Sequence, residues 1–508
     1  MGGFDLVIKN GSVITIDGDF SKKRWLAVKD GIISALGDDD FTGEAQEVVD
    51  LAGRALIPGL VDTHAHVSGT GVIGAGLPVA GIATLKGVLD VVEEACAKDD
   101  SDTVIIGGNL FMPEQMEDKR VPDREELDKV SGKHPVMLAF WTGHGGIANT
   151  KALELAELPD EWRYVEKDGM FLDDAVSFHI IGSVLACLPD SYFESVYTNL
   201  ANQCASLGMT TVHALDGMFV KDDKDVEVLL RIRDKLPIEY VPYFQTFDLK
   251  RAMGHGLKQI GGCLSVDGSP PQFTSCYIEP YPAAPHTRGL LNFSDRELYE
   301  FVTACTKENV QVAFHAIGDR AIDQILWIYR QVDMELGIKH LRPGIEHFSM
   351  PSDEHIEMAA ELNVVAQTQP GIGDMLDGEG GNSYLAFLSP EKAVLEEKFS
   401  RFMAGGVTVT GGSDSPVTPM DSLFGIDRAV NAFQEYRRVS LDDAFKIYTI
   451  NAAYATHQED IKGSLEVGKH ADMAILDKDP YTMEGGYRRD TVSVDATYKK
   501  GKLIYSKE

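Results

Sequence analysis

Hydrophobic and polar positions alternate in short runs through the first fifty residues of the chain: 5–9 (DLVIK), 12–16 (SVITI), 25–29 (WLAVK) and 31–36 (GIISAL). Asn-Gly and Asp-Gly pairs lie between them, so the pattern predicts strands joined by tight turns. The last forty residues repeat it at 472–476, 492–498 and 502–505. Each end is too short to bury a core of its own. The two are expected to join in one composite β-sandwich, residues 1–56 with 460–508.

Between the ends the period changes. Eight short apolar runs, most followed by a helical stretch, fall at 57–62, 210–214, 238–244, 263–267, 310–315, 344–347, 364–368 and 407–411. Strands alternating with helices predict parallel βα units, and eight of them predict a closed (β/α)8 TIM-like barrel over residues 57–459. The gap after the first run, about 150 residues, exceeds what one crossover needs. It holds an apolar helix at 84–97, strands at 104–107 and 136–140, and helical stretches near Ala152 and over 191–207. An inserted small α+β domain, residues 70–205, is therefore expected near one rim.

Composition narrows the class. The 508 residues are 44% hydrophobic and 25% charged, the balance of an ordinary globular protein. Asp and Glu number 79 against 47 Lys and Arg, a formal charge of −32. Such a surface repels phosphate backbones and anionic lipid, which excludes nucleic acid and membrane as expected partners and leaves a small-molecule substrate. No basic stretch leads into an apolar run at the N-terminus, and no segment reaches about 18 apolar residues. Six scattered cysteines with no CxxC pair imply a reducing compartment, so a cytoplasmic location is expected. A homodimer is expected on base rates.

The candidate chemistry lies where histidines and acids meet the ends of the predicted strands. The first run leads into LIPGLVDTHAHV, whose His64 and His66 are two apart and so share a strand face. The fourth run begins with Cys263. The fifth ends at His315 in HAIGDRA, the sixth at His347 in GIEHFS, and the eighth is followed by Asp414 in GGSDSPV. Active sites of such barrels lie at the C-terminal ends of the strands. Imidazole and carboxylate suit a zinc-like ion with an open position for water, which makes water nucleophilic at neutral pH. A nearby carboxylate then moves its proton to a leaving nitrogen. No phosphate-binding or dinucleotide-binding glycine motif supports phosphoryl or hydride transfer.

These segments, with WTGHGGIANTKAL and the tail GSLEVGKHADMAILDKDP, resemble the amidohydrolase superfamily. More narrowly they resemble its YtcJ-like branch, which includes the N-substituted formamide deformylases. The resemblance covers about residues 50 to 480. It implies a (β/α)8 barrel, a composite β-sandwich, an insert covering the site, and one or two Zn2+ or other divalent transition-metal ions. It assigns His64 and His66 to one ion and His315 and His347 to a second, with Asp414 as ligand and proton shuttle. Relatives usually carry KxFxDG on the fourth strand, with a carboxylated lysine bridging two metals. This chain reads CLSVDG, so Cys263 stands in the lysine's place, binding one zinc or bridging two. His144 and Asn149 match an HxxxxN segment of the branch and, with His286, are candidate substrate contacts. Asp319 and Arg320 are expected to pair and brace the rim, and His213 is a candidate pocket residue, although a lone histidine is usually just hydrogen-bonded.

The reading is a metal-dependent hydrolase of a C–N bond in a non-peptide amide: N-acyl, formamide or cyclic. The alternatives are a lactone or ester hydrolase, an aromatic deaminase on the same barrel, and a catalytically silent regulatory homologue. Deaminases of this kind carry HxxE after the fifth strand, whereas Gly318 occupies that position here. The silent homologue has no need of a complete ligand set.

Overall fold

The computed structural model describes residues 3–99, 103–140, 145–218, 220–377, 388–393 and 396–507. Two compact units emerge, one of Met1–Ala65, Ala201–Leu215 and Lys235–Glu508, the other of His66–Leu200 and Asp216–Asp234.

The first unit holds eight strands in sequential order in one sheet: β1 (Leu60–Ala65), β2 (Met209–Asp216), β3 (Glu239–Phe244), β4 (Gln259–Ser265), β5 (Gln311–Ala316), β6 (Gly344–His347), β7 (Val365–Thr368) and β8 (Thr408–Gly411). The paired strands run parallel. The cylinder closes where the last strand meets the first. The Asp414 N–H donates to the His64 carbonyl at 2.7 Å, Thr63 and Thr410 share a hydroxyl hydrogen bond, and Ala65 bridges Ser415 in parallel. A (β/α)8 barrel is thus present, and the helix after β5 shows how its outside is covered. That helix, Asp319–Leu336, turns Ile322, Ile325, Leu326, Tyr329 and Val332 inward and ends at Gly337, whose φ of 76° terminates it.

Two strand positions differ from the sequence expectation. The run at 57–62 splits at Gly59: Ala55–Pro58 belongs to the terminal sheet and Leu60–Ala65 to the barrel. Cys263, expected at the start of its strand, is instead the fifth residue of β4 and lies near its C-terminal end. The preceding Gly261 and Gly262 hid the strand, because glycine carries no β signal. Both have positive φ, 87° and 78°, and a Cβ on Gly261 would come within 2.2 Å of the Ala313 carbonyl oxygen. The pairing of β4 with β5 shifts register between Gly261 and Ser265, as a bulge does.

Strands from both ends of the chain form a second eight-stranded sheet in the same unit. Ala55–Pro58 is its seam, parallel to Phe4–Ile14 on one side and antiparallel to Met473–Leu476 on the other. Leu6, Ile8, Val28, Leu56, Met473, Ile475 and Tyr498 meet in one core, which neither end supplies alone.

The second unit has its own four-stranded sheet: Met170–Phe171, Gly146–Ala148, Val136–Phe140 and Ile105–Leu110. Helix Leu85–Lys98 is capped by Thr84, whose hydroxyl accepts from the Gly87 N–H. Val88, Val92, Leu110, Leu127, Leu138 and Ile147 fill the core. No single helix among the described residues is long and apolar enough to cross a membrane.

Candidate metal centre

Five potential ligands of the barrel unit converge at the C-terminal ends of its strands. His64 is the fifth residue of β1, Cys263 of β4 and His315 of β5; His347 ends β6, and Asp414 follows β8. All five are buried. Cys263 Sγ lies 3.6 Å from His315 Nδ1 and 3.9 Å from His347 Nε2. Asp414 Oδ1 lies 3.1 Å from His64 Nε2. The ligand atoms of Cys263, His315 and His347 are within 4.8 Å of one another, and so are those of His64, His347 and Asp414.

Each imidazole is held from outside by one nitrogen. His64 Nδ1–H donates to Glu346 Oε2 at 2.6 Å, and Glu346 Oε1 in turn accepts from Gln367 Nε2. His347 Nδ1–H donates to Gln369 Oε1 at 2.7 Å, and His315 Nε2–H to the Gly268 carbonyl at 3.3 Å. These partners select the tautomer. The remaining nitrogen of each ring, with its lone pair, turns toward Cys263 or Asp414. Outer hydrogen bonds of this kind orient metal-binding histidines and raise their basicity.

Burial and the neighbouring carboxylates pull the imidazoles in different directions. Burial works against a charged His64, but the Glu346 and Asp414 carboxylates outweigh it and hold the imidazole well above its ordinary value. Burial likewise opposes charge on His315, yet its hydrogen bond with Cys263, that thiol's charge and Asp267 raise it to about 9. His347 goes down, through burial and the charge of His315. Buried carboxylates and a thiol thus gather around three imidazoles, donors of the kind a cation takes. The backbone is unusual here as well. His347, Phe348 and Asp414 have φ of 69°, 47° and 53°, conformations that cost non-glycine residues about 1–3 kcal/mol each and gather at functional sites.

The remaining sequence candidates take several positions. His66 is buried and stands at the N-cap of helix Val67–Ala75, two residues beyond His64. His144 lies outside the described residues. Asn149 is fully buried in the second unit with its amide committed to the chain: Oδ1 accepts from the Val136 and Ala152 N–H groups, and Nδ2 donates to Ser131 Oγ and the His134 carbonyl. The expected substrate contact is corrected to a helix cap, because no donor or acceptor of that amide is left for a ligand. His286 is exposed in the turn between Ala284 and Thr287. Asp319 and Arg320 do not pair with each other; Asp319 binds Lys392 at 3.0 Å and Arg320 binds Asp323 at 2.6 Å. His213 is fully buried in β2, and burial pushes it down to about 3, leaving a neutral ring beside Tyr243.

Three carboxylates escaped the sequence reading. Glu346 orients His64. Asp267 accepts from the backbone N–H groups of Cys276, Ile317 and Gly318 and stands 3.5 Å from His315 Nε2, so it ties the segments after β4 and β5 together. Asp62 accepts from the N–H groups of His64 and Ser413 and holds the first and last strand ends side by side. The signal was present in each: an acid inside a run buried on all sides, where an unpaired charge is costly.

The donor set fits a divalent transition metal. Three inward nitrogens, a thiol and a carboxylate match the ligand chemistry of zinc and its neighbours, with an outer shell already in place.

With this geometry in view, comparison with known proteins is informative. The amidohydrolase family matches residues 47–505. Protein LONG AFTER FAR-RED 3 of Arabidopsis thaliana is 28% identical, over 99% of this chain and 91% of that protein. The N-substituted formamide deformylase of Arthrobacter pascens is 26% identical, over 99% of this chain and 98% of the enzyme. Among solved structures, an uncharacterized metal-dependent hydrolase from Pyrococcus furiosus superposes with a TM-score of 0.78 at 24% identity, covering 94% of this chain and 99% of that one. A parallel eight-stranded barrel, histidines and an acid at its strand ends, and a family match over most of the sequence lead to one conclusion: the chain belongs to the amidohydrolase family, in its YtcJ-like branch.

Proposed function

We propose that the protein is a cytoplasmic, metal-dependent hydrolase that cleaves the C–N bond of a small non-peptide amide, whether N-acyl, formamide or cyclic. The observation that carries this reading is the set of three imidazoles, each fixed by an outer acceptor so that its other nitrogen faces Cys263 or Asp414. His64, His66, Cys263, His315, His347 and Asp414 are the proposed ligands of one or two zinc ions. When bound, such an ion polarises a carbonyl and makes water nucleophilic near neutral pH.

The chain's own residues supply the remaining parts. Glu346, Gln369 and the Gly268 carbonyl hold the imidazoles in place. Asp414 accepts a proton from the attacking water as the new C–O bond forms. It then delivers that proton to the departing nitrogen as the C–N bond breaks, so the amine leaves neutral. The formamide-cleaving relative supports an amide rather than an ester substrate. A silent regulator has no use for a complete donor set with ordered supports, and that favours an enzyme.

Two measurements test the reading. Purified protein is expected to hold at least one tightly bound transition-metal ion per chain and to hydrolyse members of a panel of formamides, N-acyl amino acids and hydantoins. Less than one ion per chain across preparations sinks it, and turnover of lactones alone changes the class. Asp414→Asn is expected to lower hydrolysis by two or more orders of magnitude, about what general acid–base catalysis contributes, with an unchanged circular dichroism spectrum. Near-normal turnover removes Asp414 from the mechanism.

A further inference from the structure

Gln245 is the first residue after β3 and is only 4% exposed. Among the described residues neither its Oε1 nor its Nε2 has a hydrogen-bond partner. The other buried side-chain amides are tied to the protein. Gln311 binds Tyr243 and two backbone carbonyls, Gln324 binds Phe293 and Asp295, Gln367 binds Glu346, Gln369 binds His347, and Asn149 caps its helix. A buried amide without partners is costly, so Gln245 calls for a partner from outside the chain.

The order of residues in β3 gives the direction of this side chain. At the start of the strand Glu239 reaches Lys462, which also binds Thr211 of β2. Val241 and Tyr243 pack in one cluster with Leu215, Ala313 and Cys263, the candidate ligand on β4. Side chains two apart share a strand face, so Gln245 continues the series of Glu239, Val241 and Tyr243 into the barrel. The neighbouring strand is β4, and a Cβ on Gly262 would come 3.3 Å from Tyr243 Cβ. Gln245 lies one step beyond Tyr243, toward the strand ends where Cys263 meets His315 and His347.

The chemistry of the group narrows what it can take. A carboxamide is planar, and its oxygen and nitrogen stand side by side, one accepting and the other donating. The matching group carries a carbonyl oxygen and an N–H on the same edge. An open-chain secondary amide prefers the trans form, which sends the two in opposite directions. A ring holds the bond cis and brings both to one edge. A lactone or ester has no N–H to offer.

On the reading that this site hydrolyses amides, we infer that Gln245 is a specificity-determining residue that holds the cis amide edge of a cyclic substrate. Its Nε2–H donates to the substrate carbonyl oxygen, and its Oε1 accepts from the substrate N–H. Among amide substrates this selects lactams, cyclic imides and hydantoins over open-chain amides.

The test titrates full-length protein, as purified, with small inert probes followed by ligand-observed nuclear magnetic resonance: 2-pyrrolidinone, N-methyl-2-pyrrolidinone and N-methylacetamide. The first has the cis edge, the second lacks its N–H, and the third is trans. Wild type is expected to bind 2-pyrrolidinone about tenfold or more tighter than either of the others, a gap that two hydrogen bonds supply. Gln245→Met, of similar length and apolar, is expected to bind the two lactams equally. It is also expected to melt no lower than wild type, because an unmatched buried amide has been removed.

Equal wild-type affinity for the two lactams overturns the proposal, as does a preference that survives in the variant. A variant that melts lower makes Gln245 a structural residue and also overturns it. Should the variant not fold, the wild-type comparison decides by itself. Equal lactam affinity in a protein that turns over formamides leaves the hydrolase reading standing. Absence of both bound metal and amide turnover removes that reading, and the proposal with it.

Discussion

Glu346 and His347 are neighbours in β6, and both reach the candidate centre, through different routes. His347 turns Nε2 toward Cys263, whereas Glu346 reaches His64 on β1 and fixes that ring at 2.6 Å. Replacing Glu346 with Gln keeps the size of the side chain but exchanges a full carboxylate acceptor for a neutral amide. Metal affinity is expected to fall about 10- to 100-fold, the usual cost of losing an outer-shell partner, as measured by competition with a chelator. Unchanged affinity would make Glu346 a packing residue. At this scale the sequence exposed the donors and concealed their supports. His64, His315, His347 and Asp414 stand out because polar residues close apolar runs. Glu346, Gln367, Gln369 and Asp267 have partners 282, 21, 22 and 50 residues away, and no local pattern announces such partners.

Single elements explain why two sequence readings moved. In β4, the glycines that weaken the strand signal also create the bulge that presents Cys263. In the second unit, Asn149 in the HxxxxN segment is the N-cap of helix Thr150–Ala156 and holds Val136 of the adjoining strand. Asn149→Ala removes a cap and leaves buried N–H groups unmatched, at a cost of about 1–3 kcal/mol. A lower melting temperature with an unchanged KM is the expected result. A raised KM at unchanged melting temperature would restore the substrate contact. The helices were easier to read. Thr84 caps the helix whose apolar stripe began at that residue, and Ser294 and Glu297 form a capping box at the start of Asp295–Lys307.

For the whole molecule, charge and pH give two expectations. At a net charge of −32 the folded chain repels itself, and the repulsion reaches about 30 Å at roughly 0.01 M salt but about 3 Å at roughly 1 M. Melting temperature should therefore rise with sodium chloride across that range; a fall would mean that specific ion pairs outweigh the net field. The second concerns Glu239 in β3. Burial opposes its charge, but Lys462 at 3.1 Å and Gln458 at 2.8 Å outweigh this and hold the carboxyl at about 2, against an ordinary 4.5. A depressed carboxylate stabilises the fold fully above 4.5, and that contribution is lost as pH falls toward 2. The melting-temperature gap between wild type and Glu239→Gln is expected to close over that interval. A gap that widens instead would reverse the sign of the interaction. The composite sheet is legible at this scale because two strand-rich ends, each short of a core, have one economical solution in each other.

The amino-acid sequence determined the periods, and with them the eight parallel strands, the paired ends and the candidate ligands at several strand ends. Those follow from short-range rules: side chains alternate along a strand, and polar groups sit where apolar runs stop. Only the tertiary structure decided which nitrogen of each imidazole points inward, that Cys263 lies among three of them, and that Asn149 caps a helix. Such facts depend on register between strands far apart in the chain. A shift of one residue in that register turns a side chain to the opposite face, and no local pattern fixes it.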